Sequence, residues 1–190
     1  PIAGDGVLRR KIRASLPFQL TSSQTGALEE ITHDMASTTR MLRLLQGDVG
    51  SGKTIISLIS ASNAIRSNYQ VALMAPTEIL AKQHYLLAQK IFKFTNVKIE
   101  FLAGKIKTRE KNIMRKNLIT GVINLLIGTH SLFQKSIIFK NLGLVIIDEQ
   151  HKFGVKQRIE LSNKGGKDCD ILLMSATPIP RTLTMALYGD

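Results

Sequence analysis

A chain of 190 residues, 44% of them hydrophobic, is long enough for one domain with a proper core. Its longest apolar runs, such as residues 142–147, are far too short to span a bilayer, and the opening Pro1-Ile2-Ala3-Gly4-Asp5 lacks the apolar stretch of a secretory leader. A net charge of +12 admits either a polyanionic partner or a plain solvated basic surface, and the lone Cys169, unable to form an internal disulfide, fits a reducing compartment such as the cytoplasm.

Residues 7–16 carry Leu8, Ile12 and Leu16 at four-residue spacing, which predicts a helix, and Pro17 interrupts it. The chain opens without an initiating Met, so residues 1–16 read as the end of a connector from a preceding domain and 17–190 as the domain itself. Thr21 and Gln24 have the spacing of a capping box, each able to bond the other's backbone N–H, and Leu28, Ile31 and Met35 form the apolar face of the helix they start. The chain then alternates: a strand over 42–46, a glycine-rich turn, a helix from about 53 to 66, a strand over 71–75 and a helix over 78–92. A strand over 97–102, a basic helix over 108–118 and strands over 122–127, 144–147 and 171–174 follow. Strands apolar on both faces, separated by helices, predict a three-layer α/β fold with a mainly parallel central sheet. Ligands of such sheets bind at the carboxyl ends of the strands, and each motif below follows a strand.

Gly47-Asp48-Val49-Gly50-Ser51-Gly52-Lys53-Thr54 matches the phosphate-loop pattern G-x-x-x-x-G-K-[ST] in full. Gly47, Gly50 and Gly52 let backbone N–H groups turn inward, and with Ser51 and the start of the next helix they would cradle phosphate oxygens. Lys53 would reach the β- and γ-phosphates of ATP, and Thr54 would place its hydroxyl on Mg²⁺. Further along, the apolar run Leu144-Val145-Ile146-Ile147 ends in Asp148-Glu149. Asp148 suits the Mg²⁺ shell, and Glu149 would polarise a water for attack on the γ-phosphate. Two adjacent acids at that place favour hydrolysis over transfer to an acceptor.

Asp148-Glu149-Gln150-His151 resembles the DExH-type box of superfamily 2 helicases, whose nucleotide-binding lobe is RecA-like. Ala75-Pro76-Thr77-Glu78-Ile79-Leu80-Ala81 is similar to motif Ia of that superfamily, Gly128-Thr129-His130 to a motif Ib-type element and Ser175-Ala176-Thr177 to motif III. Pro17-Phe18-Gln19-Leu20-Thr21 with Gln24 looks like a Q-motif for adenine. Asp148-Glu149-Gln150-His151-Lys152-Phe153-Gly154-Val155 and Ala176-Thr177-Pro178-Ile179-Pro180-Arg181-Thr182-Leu183 narrow the likeness to the bacterial fork-remodelling DNA helicases of the superfamily, from about Leu16 to Asp190. Lys152 departs from that pattern, which has Arg there.

The resemblance implies that Gln24 reads the adenine edge, alongside its role as a helix cap, with Phe18 near the base. It implies that Gln150, His151, Ser175 and Thr177 relay the nucleotide state, and that Thr77, Thr129 and His130 hold phosphates of a DNA strand. The partners implied are branched double-stranded DNA (forks and Holliday junctions) bound without sequence preference, a second RecA-like lobe supplying an arginine finger, and a DNA-wedge domain. The setting implied is the bacterial cytoplasm, near the nucleoid. Without its second lobe such a motor is expected to hydrolyse ATP slowly and unwind nothing. Two other readings stand beside this one: a translocase coupling transcription to repair, which shares the Thr177-Pro178-Ile179-Pro180-Arg181-Thr182 stretch, and a nucleotide-gated DNA-binding module without useful hydrolysis.

Overall fold

The computed structural model describes residues 2, 4, 6–16, 19–37, 41–46, 51–148 and 169–175. Two helices come first, α1 (Val7–Ser15) and α2 (Ser22–Ala36). Strand β1 (Leu42–Gln46) then leads to the long helix α3 (Ser51–Arg66), and β2 (Gln70–Met74) to α4 (Glu78–Ile91). Next come β3 (Ile99–Leu102), α5 (Thr108–Ile119), β4 (Leu125–Gly128), β5 (Leu142–Asp148) and β6 (Asp170–Ser175).

The six strands form one parallel sheet in the order β1-β6-β5-β2-β4-β3. Alternation along each strand sorts the side chains into two packed layers. Val71, Leu73, Leu125, Ile127, Leu144, Ile146 and Leu172 face the side where Leu28, Ile31 and Met35 of α2 and Ile55, Leu58 and Ile59 of α3 lie buried. Ala72, Met74, Leu126, Val145, Ile147, Ile171 and Leu173 face the side of Met114 and Leu118 of α5. Helix α1 packs on α3, and Ile2 and Ile12 join the first of these layers at 3% and 1% exposure. Ile2 and Ile12, within the stretch expected as a connector, therefore contribute to the same core as the sheet.

The capping box at α2 is present in both directions: Gln24 N–H donates to the Thr21 hydroxyl at 3.1 Å, and Thr21 N–H donates to Gln24 Oε1 at 2.9 Å. Thr21→Ala removes one of these acceptors and is expected to destabilise the lobe by about 1 kcal/mol, read as a lower unfolding midpoint; an unchanged midpoint would show that the box carries no weight.

Most expected elements appear with their ends moved by a residue or two. The larger shift is at β4, which begins at Leu125 where a strand over 122–127 was expected; β3 begins at Ile99, two residues into the expected 97–102. The lead-in residues are held by a local exchange instead: Lys98 N–H donates to Asn124 Oδ1, and Asn124 and Leu125 N–H donate to the Lys98 carbonyl. No helix is expected between β4 and β5, and no α-helix lies there. Residues 129–141 cross over with only a short 3₁₀ helix, His130–Phe133. Leu132 and Ile137 from this connection fill the α5 side of the sheet, so burial is achieved without a helix.

Candidate active site

Because every strand runs the same way, the carboxyl ends share one edge of the sheet. Register pairs Gln46 with Ser175, Met174 with Asp148, Ile147 with Met74, and Met74 with Gly128. The residues following β1, β5, β2, β4 and β6 are those singled out from the sequence. One edge therefore gathers segments more than a hundred residues apart in the chain.

Helix α3 starts at Ser51, two residues before the expected start, so Gly52, Lys53 and Thr54 lie in its first turn. The first turn of a helix presents N–H groups without intrahelical partners, together with the positive end of the helix dipole, and both attract anions. Thr54 is buried at 6% exposure, and the Ser57 hydroxyl bonds back to the Lys53 carbonyl at 2.9 Å. Gln24 comes from α2 to meet this turn. A Cβ added at Gly52 would lie 2.7 Å from Gln24 Nε2, so the amide rests directly against the glycine backbone. With Oε1 committed to the cap, Nε2 is the end of Gln24 that remains beside the loop.

The two residues expected on the metal are drawn together by a third that sequence reasoning missed. His84 of α4 lies between them: its Nε2 is 2.7 Å from Asp148 Oδ2, and its Nδ1 is 3.4 Å from Thr54 Oγ1. The His84 and Asp148 side chains are only 11% and 15% exposed. The sequence did hold a signal. Ala81, His84, Ala88 and Ile91 recur on the buried stripe of α4, and a histidine on an apolar stripe needs polar partners. Among the described residues no group of three or more His, Cys, Asp or Glu could hold a metal ion by itself. The donor set here is one hydroxyl and one carboxylate, hard oxygens that suit Mg²⁺ when phosphates and waters complete its shell.

The remaining expected residues divide into two groups. Thr77, Thr129 and His130 sit just past the paired ends of β2 and β4. Thr77 is exposed, but its hydroxyl is already used: it caps α4 by accepting from Leu80 N–H at 3.2 Å. The Thr129 hydroxyl lies 3.5 Å from that of Ser131, and His130 is exposed at the start of the 3₁₀ helix. Ser175 closes β6, in register with Gln46 of β1. Phe18, Gly47, Gly50, Glu149, Gln150, His151 and Thr177 lie outside the described residues.

A parallel sheet with a phosphate-loop helix after β1 and an acid at the end of β5 defines a RecA-like nucleotide-binding lobe. A family model described as DEAD/DEAH box helicase matches residues 21–186, and the chain belongs to that family. It is 51% identical over 176 residues to the ATP-dependent DNA helicase RecG of Bacillus subtilis, covering 93% of this chain and 26% of that protein. To the ATP-dependent DNA helicase RecG of Thermotoga maritima it is 50% identical over 186 residues, covering 98% of this chain and 24% of the relative. A solved structure of RecG bound to a three-way DNA junction matches with a TM-score of 0.85 at 46% identity, covering 100% of this chain and 25% of that one. The chain thus spans about a quarter of the length of these relatives.

Proposed function

We propose that this chain is the first RecA-like motor lobe of an ATP-dependent DNA helicase that remodels stalled replication forks and branch-migrates junctions during repair and recombination. The observation that carries the reading is the meeting of Thr54 and Asp148 on His84, which joins the phosphate-loop helix to the acidic strand at the edge where such sheets bind nucleotide. The likeness to RecG, one structure of which is described with a three-way DNA junction, supplies the substrate class.

In this reading Gly47, Gly50, Ser51 and Gly52 cradle the phosphates, Lys53 neutralises the β- and γ-phosphates, and Thr54 and Asp148 hold Mg²⁺. Glu149 orients the attacking water. Gln24 presents its free amide hydrogen atoms toward the adenine, with Phe18 beside the base. Gln150, His151, Ser175 and Thr177 pass the nucleotide state onward, and Thr77, Thr129 and His130 meet the DNA backbone. Since Thr77 is committed through its oxygen to the helix cap, its hydroxyl proton and the neighbouring backbone are what it would offer a phosphate. A second RecA-like lobe, a wedge domain and branched DNA complete the machine, in the bacterial cytoplasm.

The test is ATP turnover of the full-length protein with and without a three-way junction, across a salt series. Stimulation by the junction is expected, and binding to it should fall steeply with salt. The logarithmic slope is about −0.9 per phosphate neutralised, whatever the base sequence. Turnover indifferent to DNA would leave a nucleotide-gated binding module in place of a motor.

A further inference from the structure

His84 is placed where a plain helix residue has no reason to be. Its imidazole lies on the buried stripe of α4 between Ala81 and Ala88, both fully buried, and these small neighbours leave the ring room to lie toward the sheet edge. The ring then bonds two groups from different elements, Thr54 of α3 and Asp148 of β5. We propose that His84 is a positioning residue for the metal-bound nucleotide, setting the hydroxyl of Thr54 and the carboxylate of Asp148 in the orientations that receive Mg²⁺. The proposal rests on the function proposed above and adds to it a residue outside the phosphate loop and the acidic box.

The chemistry follows from the donors and acceptors. A carboxylate only accepts, so the 2.7 Å contact fixes Nε2–H of His84 as the donor to Asp148 Oδ2. In the tautomer with Nε2–H, Nδ1 carries a lone pair and accepts a hydrogen bond from the Thr54 hydroxyl. With its proton turned toward His84, the Thr54 oxygen keeps a lone pair for a cation. With Oδ2 restrained, Asp148 keeps Oδ1 without a hydrogen-bond partner among the described residues. One imidazole thus orders two hard-oxygen donors on separate elements, the arrangement by which outer-shell groups raise the affinity of metal ligands.

Full-length protein provides the test, with a fluorescent ADP analogue as probe, titrated with MgCl₂ or held in EDTA. Wild-type protein should bind the nucleotide more tightly as Mg²⁺ rises. His84→Ala should raise the Mg²⁺ concentration at half effect by about 10–100-fold, the usual cost of losing an outer-shell partner, and leave affinity in EDTA unchanged. His84→Gln offers a donor and an acceptor at similar reach and should recover most of the loss. An unchanged Mg²⁺ requirement in His84→Ala would overturn the proposal and leave the motor reading standing. Equal losses with and without Mg²⁺ in both variants would overturn it too, since His84 would then be a packing residue. Wild-type binding indifferent to Mg²⁺ would bring down the proposed metal pocket and this assignment together, and that first titration alone reveals it.

Discussion

Full-length protein carrying Asp148→Asn is expected to turn over ATP about 10²–10³-fold more slowly than wild type in the presence of branched DNA, equivalent to about 2.7–4 kcal/mol of transition-state stabilisation. The substitution is chosen because it changes charge and little else. Asp148 closes β5, whose preceding residues 142–147 are all buried, and its backbone is fixed by register with Met174 of β6. An asparagine keeps the shape and can still accept the N–H of His84 through its carbonyl oxygen, so the lobe should fold as before. What disappears is the negative charge facing the metal in the proposed site. Steady-state turnover measures the loss, and a melting curve matching wild type shows that it is chemical. Wild-type turnover in this variant would remove Asp148 from the reaction.

The largest single stability effect of a polar change is expected at Gln70. This side chain opens β2 at 4% exposure with all its bonds made. Its Nε2 donates to the carbonyls of Leu118 and Ile123 at 2.8 and 2.9 Å, and its Oε1 accepts from Asn141 N–H at 2.9 Å. One amide therefore ties the end of α5, the lead-in to β4 and the lead-in to β5 to the central strand of the sheet. Gln70→Leu fills the same space but makes none of these bonds. The Leu118 carbonyl keeps a second donor, Gly121 N–H at 3.3 Å, so two groups are left bare: the Ile123 carbonyl and the Asn141 N–H. Asn141 is exposed, so water can replace its bond, whereas the Ile123 carbonyl is buried. At about 1–3 kcal/mol for one buried unsatisfied group, the loss is about 1–3 kcal/mol. Hydrogen exchange on the full-length protein should show faster exchange at the amides of β2, β4 and β5. Protection equal to wild type would mean that water or a shifted backbone replaces the bonds.

The residues visible in the sequence were those whose chemistry is local. Thr21 and Gln24 announce a capping box because both partners lie within one turn, and both hydrogen bonds form. Val71, Ala72, Leu73 and Met74, and likewise Leu144 to Ile147, read as strands buried on both faces, and they are. Thr54 and Asp148 were assigned to one site from their motifs alone, and the structure draws both onto His84. What escaped depends on distance in space. His84 looks like one polar residue among Lys82, Gln83 and Tyr85 until α4 is laid against the sheet. The crossover over 129–141 has no periodicity to reveal that Leu132 and Ile137 can cover a sheet without a helix. Thr77 reads as a phosphate contact by its motif, while its capping bond to Leu80 N–H is seen only once the turn before α4 is formed.

The position of β6 has a consequence for biosynthesis. Among the described residues, strand β1 has β6 as its only neighbour in the sheet, Leu42 pairing with Ile171 and the Met41 N–H with the Asp170 carboxylate at 2.7 Å. A nascent chain emerging from the ribosome can therefore assemble β2, β3, β4 and β5 early, while β1 waits unpaired for a strand made more than a hundred residues later. Closing so long a loop is slow, and the waiting edge is prone to wrong pairings. The proposed nucleotide pocket, split between β1 and β5, should accordingly be the last part of the lobe to mature, and ligand in the cell would meet it only after residue 175 has cleared the exit tunnel.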